Sequence, residues 1–244
     1  MNNPMTNIKI KGFIETSFCD WDGYLSSVIF LPGCNFRCPF CQNGELVVEP
    51  QSLATIDFEL IQDRLSHKRD WIDGVVITGG EPTIHAGIAD LMRAIKKLGF
   101  KVKLDTNGTR PGVIEDLLSQ NLLDYIAMDI KAPLDDRYHV AAGVRVDLDS
   151  IRRSVELIRE FGNYEFRTTL VPGIIDEEAV DSIAQSIQGS RRYVLQRFVP
   201  ENSLDKSYRQ AVPYSDVFVD RLLQIASRYV SNVSYRGKIG VGLS

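Results

Sequence analysis

The stretch Leu-Pro-Gly-Cys-Asn-Phe-Arg-Cys-Pro-Phe-Cys-Gln-Asn at residues 31–43 carries three cysteines, Cys34, Cys38 and Cys41, within eight positions. Three thiolates so close together cannot all pair in disulfides, because one is always left over. Cysteine thiolates are the usual ligands of iron–sulfur clusters, and four are normally supplied. A cluster held by three would leave one iron open to another ligand. The stretch follows an apolar segment, residues 28–30, and therefore predicts a cluster-binding loop after a buried strand.

Other uses of these cysteines fit the sequence less well. Zinc sites favour cysteine pairs two residues apart with two further ligands. The spare cysteine is Cys19, and His67, His85 and His139 are scattered without ligand spacing. We interpret Cys19 as a packed side chain and assign the histidines no role. One spare cysteine cannot hold a second cluster, and nothing in the sequence suggests the secretion that favours structural disulfides.

Composition excludes several classes of protein. The chain has 244 residues, a formal net charge of −4, 44% hydrophobic and 25% charged residues, as in ordinary globular proteins. A protein that binds nucleic acid generally needs a basic surface, so no nucleic-acid partner is expected. No apolar run approaches the length that spans a bilayer, and residues 1–11 lack a signal-peptide core. We predict a cytoplasmic protein that does not bind membranes.

Apolar strands alternate with helical patterns along the whole chain. One helical stripe has apolar residues at positions 88, 91, 92, 95 and 98, a spacing that places them on one helix face. Repeated strand–helix units predict an α/β fold with a parallel sheet and outer helices. Six units fall short of the eight that close a TIM barrel, so we expect an open partial barrel, (β/α)6. The candidate strands are residues 27–31, 74–78, 101–105, 125–129, 164–171 and 193–198, with a short strand at 233–235.

Polar residues follow the ends of these strands. In such folds ligands gather at the carboxyl ends of the strands. The first strand leads into the cysteine loop, and the second, residues 75–77, into Gly79-Gly80-Glu81-Pro82. The remaining strand ends carry Asp105, Thr106, Asn107, Asp129, Lys131, Arg167 and Gln196. The sequence therefore predicts a single ligand-binding basin at one edge of the sheet.

The cysteine spacing, the aromatic Phe40 directly before the third cysteine, and the later Gly79–Pro82 segment together resemble the radical S-adenosylmethionine (SAM) superfamily. The two motifs are separated by the length of one helical crossover and the next strand. The resemblance implies a [4Fe–4S] cluster bound by Cys34, Cys38 and Cys41. It also implies a partial-barrel fold and cleavage of SAM to a 5′-deoxyadenosyl radical. We expect one such domain over residues 1–244, with its core at residues 24–200.

Residue chemistry suggests how SAM would be bound. Gly79 and Gly80 would let the backbone approach the ligand, and with Glu81 and Pro82 they form the segment that the resemblance assigns to the amino group. Lys131 and Arg167 are candidates for the SAM carboxylate, since cationic donors bind carboxylates well. For any one of these side chains, a purely structural role is equally open. The remaining candidates are Asp105 and Asp129 for ribose hydroxyls or a cation, Phe40 for adenine, and Thr106, Asn107 and Gln196 for other contacts.

Within the superfamily the chain is most similar to activases of glycyl radical enzymes, especially activating proteins of anaerobic ribonucleoside-triphosphate reductase. The similarity lies in residues 12–43, in the segment 105–108 and in the segment 129–131. It implies a glycyl radical enzyme as partner and a flavodoxin- or ferredoxin-type electron donor. An alternative is a small-molecule enzyme such as a 7-carboxy-7-deazaguanine synthase. A third possibility is an electron carrier, but a carrier has no need of an amine-binding segment.

Overall fold

The computed structural model describes residues 8–237 and contains eight β-strands and eight α-helices within that range. The expectations for the first seven residues and for residues 238–244 lie outside the described part. The strands are β1 (Gly12–Ser17), β2 (Ser26–Leu31), β3 (Gly74–Gly79), β4 (Lys101–Thr106), β5 (Tyr125–Asp129), β6 (Tyr164–Leu170), β7 (Tyr193–Arg197) and β8 (Val233–Arg236).

The helices lie between the strands. They are α1 (Gly44–Val48), α2 (Phe58–Ser66), α3 (Ile88–Lys97), α4 (Pro111–Ser119), α5 (Asp136–Ala142), α6 (Leu148–Phe161), α7 (Glu177–Ser186) and α8 (Asp216–Ala226). Two 3-10 turns, Pro82–Ile84 and Lys206–Gln210, follow β3 and β7. No helix in the described range is long and apolar enough to cross a bilayer.

The strands follow chain order in one eight-stranded sheet. β2 pairs in parallel with β3 and β3 with β4, while β6, β7 and β8 also pair in parallel. This mainly parallel sheet with intervening helices confirms the predicted α/β class. Each predicted strand is present, with ends shifted by one residue at most.

Two elements differ from the sequence-based expectation. β1 was not predicted, and it pairs antiparallel with β2, with Phe13 opposite Ile29. Its burial is irregular, which obscures the alternation that normally marks a strand. The connection at residues 43–55 contains the five-residue helix α1, which was not predicted. Such a short helix gives too little periodicity to be detected from sequence.

Contacts divide the chain into two compact units. The first unit comprises the chain up to Asn35, then Asn43–Ala127 and Asp149–Asn163. It contains β1–β4, and its core includes Val28, Val76 and Trp21. The helical stripe predicted at residues 88–98 packs inward, since Ile88, Leu91, Met92 and Ile95 of α3 are buried.

The second unit comprises Phe36–Gln42, Met128–Leu148 and the chain from Tyr164 onward. It contains β6–β8 and the helices α5, α7 and α8. The buried residues of α7, Ala179, Val180, Ile183 and Ala184, form one apolar face. The expectation of a single domain stays a prediction.

Candidate functional site

In the first unit, the segment after β3 holds the backbone that leads into Cys34. Gly80 N donates to Leu31 O (2.9 Å), and Glu81 N donates to Gly33 O (2.9 Å). The Asn43 side chain donates to Gly79 O (2.8 Å), which links the far end of the cysteine loop to the same segment. The first role of this segment is therefore to fix the course of the chain on either side of the cysteines.

The two glycines are required by this close packing. A Cβ atom on Gly80 would lie 1.7 Å from Gly33 O, far inside any permitted contact. Gly79 has a φ of +120°, and a Cβ there would lie 2.3 Å from Leu31 O. The direction in which a side chain would point from either glycine is filled by the backbone of residues 31–33. The expectation that the backbone of these glycines approaches a ligand stays a prediction.

Glu81 is buried, with 1% of its surface exposed. Its Oε1 accepts from Thr83 N (3.0 Å) and from the hydroxyl of Thr106 (2.8 Å), and its Oε2 accepts from Asn107 N (2.7 Å). Burial raises the pKa of Glu81, while these donors act in the opposite direction. The carboxylate expected to meet an ammonium group is thus occupied in joining the ends of β3 and β4. The hydroxyl of Thr106, which was also a predicted contact, donates to this same carboxylate.

Pro82 and His85 complete this part of the first unit. Pro82 begins the 3-10 turn at the position where its missing N–H costs nothing, and Glu81 caps that turn. His85 Nε2 lies 2.8 Å from Pro32 O, two residues before Cys34. Burial lowers the pKa of His85, which favours the neutral imidazole. The sequence indicates no role for His85. Its contact with Pro32 connects it to the cysteine loop.

Asn107 reaches the first cysteine directly. Its side-chain nitrogen lies 3.9 Å from Cys34 Sγ and donates to Asn35 Oδ1 (2.9 Å). Thr109 donates from its backbone N–H and from its hydroxyl to Asn107 Oδ1. Asn35 and Thr109 were not predicted to take part, because neither residue type marks a site without its spatial neighbours.

Asp105 is paired with a cation inside the protein. Lys103 is buried on β4, and its Nζ lies 3.3 Å from Asp105 Oδ1 and within hydrogen-bond distance of Asp20 O. The roles expected for Asp105, binding ribose hydroxyls or holding a cation beside the SAM carboxylate, stay predictions, and the structure adds the ion pair with Lys103. Lys103 was not predicted, because a lysine within a strand normally points to solvent.

In the second unit, backbone contacts hold the loop that carries Cys38 and Cys41. Leu204 N donates to Cys41 O (3.0 Å) and Asp205 N donates to Pro39 O (2.8 Å). The chain after β7 therefore lies against this loop. Gln42 strengthens the contact by donating to Val199 O (3.2 Å).

The C-terminal end of helix α5 also contacts the cysteine loop. Arg37 N donates to Ala142 O (2.8 Å), and the ring of Phe36 packs edge-on against buried Tyr138 with centroids 6.3 Å apart. Gly143 ends α5 in the left-handed conformation, where a Cβ would lie 2.1 Å from Arg37 O. Phe40, predicted to contact adenine, is buried within this loop.

Three predicted residues of the second unit form one charged group. Arg167 Nε donates to Asp129 Oδ1 (2.7 Å), and Lys131 Nζ donates to Asp129 Oδ2 (3.0 Å). Burial alone would raise the pKa of Asp129, but the charges of Arg167 and Lys131 outweigh it and hold the pKa well below its ordinary value. Burial would likewise lower the pKa of Lys131, but Asp129 and then Cys38 raise it overall. Two cations against one carboxylate leave a net positive charge.

The donor set fits an iron–sulfur cluster better than a single metal ion. All four cysteines fall in the described range, and none is in a disulfide. Within that range no three His, Cys, Asp or Glu side chains are grouped to hold one ion. A cluster is instead bound through several iron atoms. The amide of Asn107 beside Cys34 and the positive charge of Lys131 felt by Cys38 both suit sulfurs that carry negative charge. Gln196, the remaining candidate, is half-buried on β7 opposite Thr169.

Comparison with known protein families identifies the chain. Residues 28–185, more than half of its length, match the model of the radical SAM superfamily. The chain belongs to the radical SAM superfamily. The predicted family is confirmed, and the chain is an enzyme of this superfamily. As a member of this superfamily, the radical SAM enzyme uses an iron–sulfur cluster and SAM as cofactors.

Curated relatives and solved structures agree with this membership. A Methanocaldococcus jannaschii protein, provisionally named a glycyl-radical enzyme activating enzyme, is 34% identical to this radical SAM enzyme. The match covers 93% of this chain and 95% of that protein. It is 26% identical to the pyruvate formate-lyase-activating enzyme of Clostridium pasteurianum, covering 74% of this chain and 76% of that enzyme. The fold matches the crystal structure of Streptococcus suis SuiB bound to its precursor peptide SuiA (TM-score 0.66, 18% identity), over 86% of this chain and 48% of SuiB.

Proposed function

We propose that this protein is an activase that installs a glycyl radical on a partner enzyme. The observation that carries the proposal is the 34% identity to a glycyl-radical activating enzyme across nearly the whole of both chains. The similarity to a pyruvate formate-lyase-activating enzyme supports the same function. Among possible partners we favour anaerobic ribonucleoside-triphosphate reductase, because residues 12–43 resemble its activating proteins most.

The cluster in this proposal is a [4Fe–4S] cluster bound by Cys34, Cys38 and Cys41. Three protein thiolates leave one iron for the amino and carboxylate groups of SAM. The carboxylate would be received by the group Asp129–Lys131–Arg167, whose two cations exceed its single anion. Since the Glu81 carboxylate is used within the protein, backbone groups of the segment at Gly79 and Gly80 are the better candidates for the amine.

The cofactors supply the chemistry. With the cluster and SAM bound, one electron from a flavodoxin- or ferredoxin-type donor would cleave the carbon–sulfur bond of SAM, and the resulting 5′-deoxyadenosyl group would take a hydrogen atom from a glycine Cα of the partner. The residues of this chain hold and orient the cofactors and exclude water. We further propose that the whole chain acts as one radical SAM domain in the cytoplasm.

The test uses the full chain, reconstituted anaerobically with iron and sulfide. The reduced protein is mixed with SAM and anaerobic ribonucleoside-triphosphate reductase, and the electron paramagnetic resonance (EPR) spectrum is recorded. We expect a glycyl doublet, and one SAM cleaved for each radical formed. The matched control is Cys34→Ala, which removes one ligand and should give neither signal nor cleavage.

A different outcome would favour the small-molecule alternative. Multiple turnovers of SAM with a pterin-like substrate, and no radical on any glycyl radical protein, would indicate a deazaguanine-type enzyme. A cluster that reduces and reoxidises without cleaving SAM would indicate an electron carrier.

A further inference from the structure

The side-chain amide of Asn107 has one possible orientation. Its Oδ1 accepts from the backbone N–H of Thr109 at 3.0 Å, and a backbone N–H can only donate. The oxygen is therefore assigned by its partner, and the NH₂ group must face the other way. It faces Asn35 Oδ1 at 2.9 Å and Cys34 Sγ at 3.9 Å.

Three side chains close this arrangement into a ring. Asn35 Nδ2 donates to the hydroxyl of Thr109 (2.7 Å), which donates to Asn107 Oδ1 (2.7 Å), and Asn107 Nδ2 donates back to Asn35 Oδ1. Only 5% of the surface of Asn107 is exposed. In a buried site each bond strengthens its neighbours, so the ring holds the amide in place. One of the two amide hydrogens is used in the ring, and the second is left to face Cys34.

The contact with Cys34 gains strength when the cysteine binds iron. A ligating cysteine is deprotonated, so its sulfur can only accept hydrogen bonds. The contact from Cys34 Sγ to Asn35 Oδ1 (3.9 Å), in which the thiol donates, is then lost. The contact in which Asn107 donates remains and becomes charge-assisted.

We propose that Asn107 donates a hydrogen bond to the sulfur of Cys34 and thereby raises the reduction potential of the bound cluster. The inference rests on the proposed function only in requiring a cluster on Cys34. Reduction adds negative charge to the cluster and its sulfurs. A donor at a ligating sulfur stabilises the reduced state more than the oxidised state, and hydrogen bonds of this kind are known determinants of cluster potential.

Glu81 is the positioning residue for Asn107. Its Oε2 accepts from the backbone N–H of Asn107 at 2.7 Å, and its Oε1 holds the neighbouring Thr106. The buried carboxylate thus fixes the backbone from which the amide reaches the sulfur. The Glu81 side chain therefore acts on the Asn107 amide through this backbone bond.

The experiment measures the midpoint potential of the reconstituted full-length protein by EPR-monitored redox titration without SAM. Asn107→Leu keeps the shape of the side chain and removes the donor, and Asn107→Ala is the second variant. Both should hold as much iron per chain as the wild type and show a more negative potential. Glu81→Gln should shift the potential in the same direction by less. Ser154→Ala is the matched control, because it removes a buried bond to Gly108 O (2.6 Å) of the same loop without touching a cysteine, and should leave the potential unchanged.

Any of the following results would overturn the inference. An unchanged potential in iron-replete Asn107 variants would show that the amide does not act on the cluster. Loss of iron from both Asn107 variants would make Asn107 necessary for cluster binding and not for its potential. An equal shift in Ser154→Ala would mean that the loop as a whole sets the potential. A wild-type protein that binds no cluster would refute the proposed function itself, which separates that failure from the failure of the role of Asn107.

Discussion

At the residue scale, the glycine-rich segment has a physical role besides the proposed ligand binding. Gly79 and Gly80 lie against the backbone of residues 31–33, and Glu81 ties the ends of β3 and β4 together. The side chains that looked suited to contact SAM are largely used to place the cysteine loop. The proposed ligand-binding role and the scaffold role of the segment would therefore be coupled, because both would depend on the same few backbone groups.

This coupling leads to a prediction about Gly80. Gly80→Ala should destabilise the protein by about 3 kcal/mol or more, because its Cβ must displace the backbone at Gly33 next to Cys34. It should also lower iron content after reconstitution. Chemical denaturation and iron analysis measure the two effects. Gly112→Ala in α4 is the control: its Cβ meets nothing within 4 Å, and it should stabilise the protein by about 0.5 kcal/mol. Normal iron content and stability in Gly80→Ala would contradict this account.

At the scale of elements, the ends of the strands supply the polar groups. β3 and β4 end in the Glu81–Asn107 joint, and β5 and β6 contribute Asp129 and Arg167. Neighbouring parallel strands direct their carboxyl ends to the same edge of a sheet. Each of these two groups can therefore combine residues that lie far apart in sequence. The segment after β7 acts as an element too, since its backbone binds the loop of Cys38 and Cys41.

The charged group on β5 and β6 gives a prediction at this scale. Asp129→Asn should destabilise the protein by about 3 kcal/mol, because Arg167 and Lys131 would stay largely buried without their counter-charge. The pKa of Asp129 is lowered by folding, so its contribution is complete above the ordinary value of 3.8 and is lost as the pH falls further. Denaturation at several pH values therefore should show the largest difference from wild type near neutrality.

Asp135→Asn provides the control for this measurement. Asp135 pairs with Arg137 on the surface, where both side chains are more than 40% exposed. Removing such a pair should cost less than about 1 kcal/mol. Equal costs for the two substitutions would mean that the group on β5 and β6 is not a buried ion-pair network.

At the scale of the whole molecule, the chain is built from two compact units, and the cysteine stretch contributes to both. Cys34 belongs to the first unit, while Cys38 and Cys41 belong to the second. Asn107 lies at Cys34 within the first unit, and Lys131 influences Cys38 within the second.

The prediction at this scale concerns iron content. Replacing Cys34, Cys38 or Cys41 by Ala should abolish the cluster, because each supplies one thiolate. Cys19→Ala should keep it, since Cys19 is exposed, and not packed as the sequence had indicated, and contacts Ser17 and Asp20 in the turn between β1 and β2. Iron and sulfide analysis with visible absorption measures the result. A Cys19→Ala protein without iron would contradict the three-ligand site.

The sequence by itself determined the α/β class, the superfamily and the cysteine loop. Strand–helix alternation and the spacing of three cysteines are local properties, which survive in the linear order of residues. The tertiary structure decided what the polar residues do. Asn107 meets Cys34 across 73 positions and Glu81 meets Asn107 across 26, and no local pattern encodes such distances. The same holds for β1, since only its partner β2 makes it a strand. Residue types therefore mark Glu81, Asn107 and Asp129 as candidates for the site. Only the packing of the strand ends assigned their partners, because the partner of a buried polar group is set by which strands are neighbours.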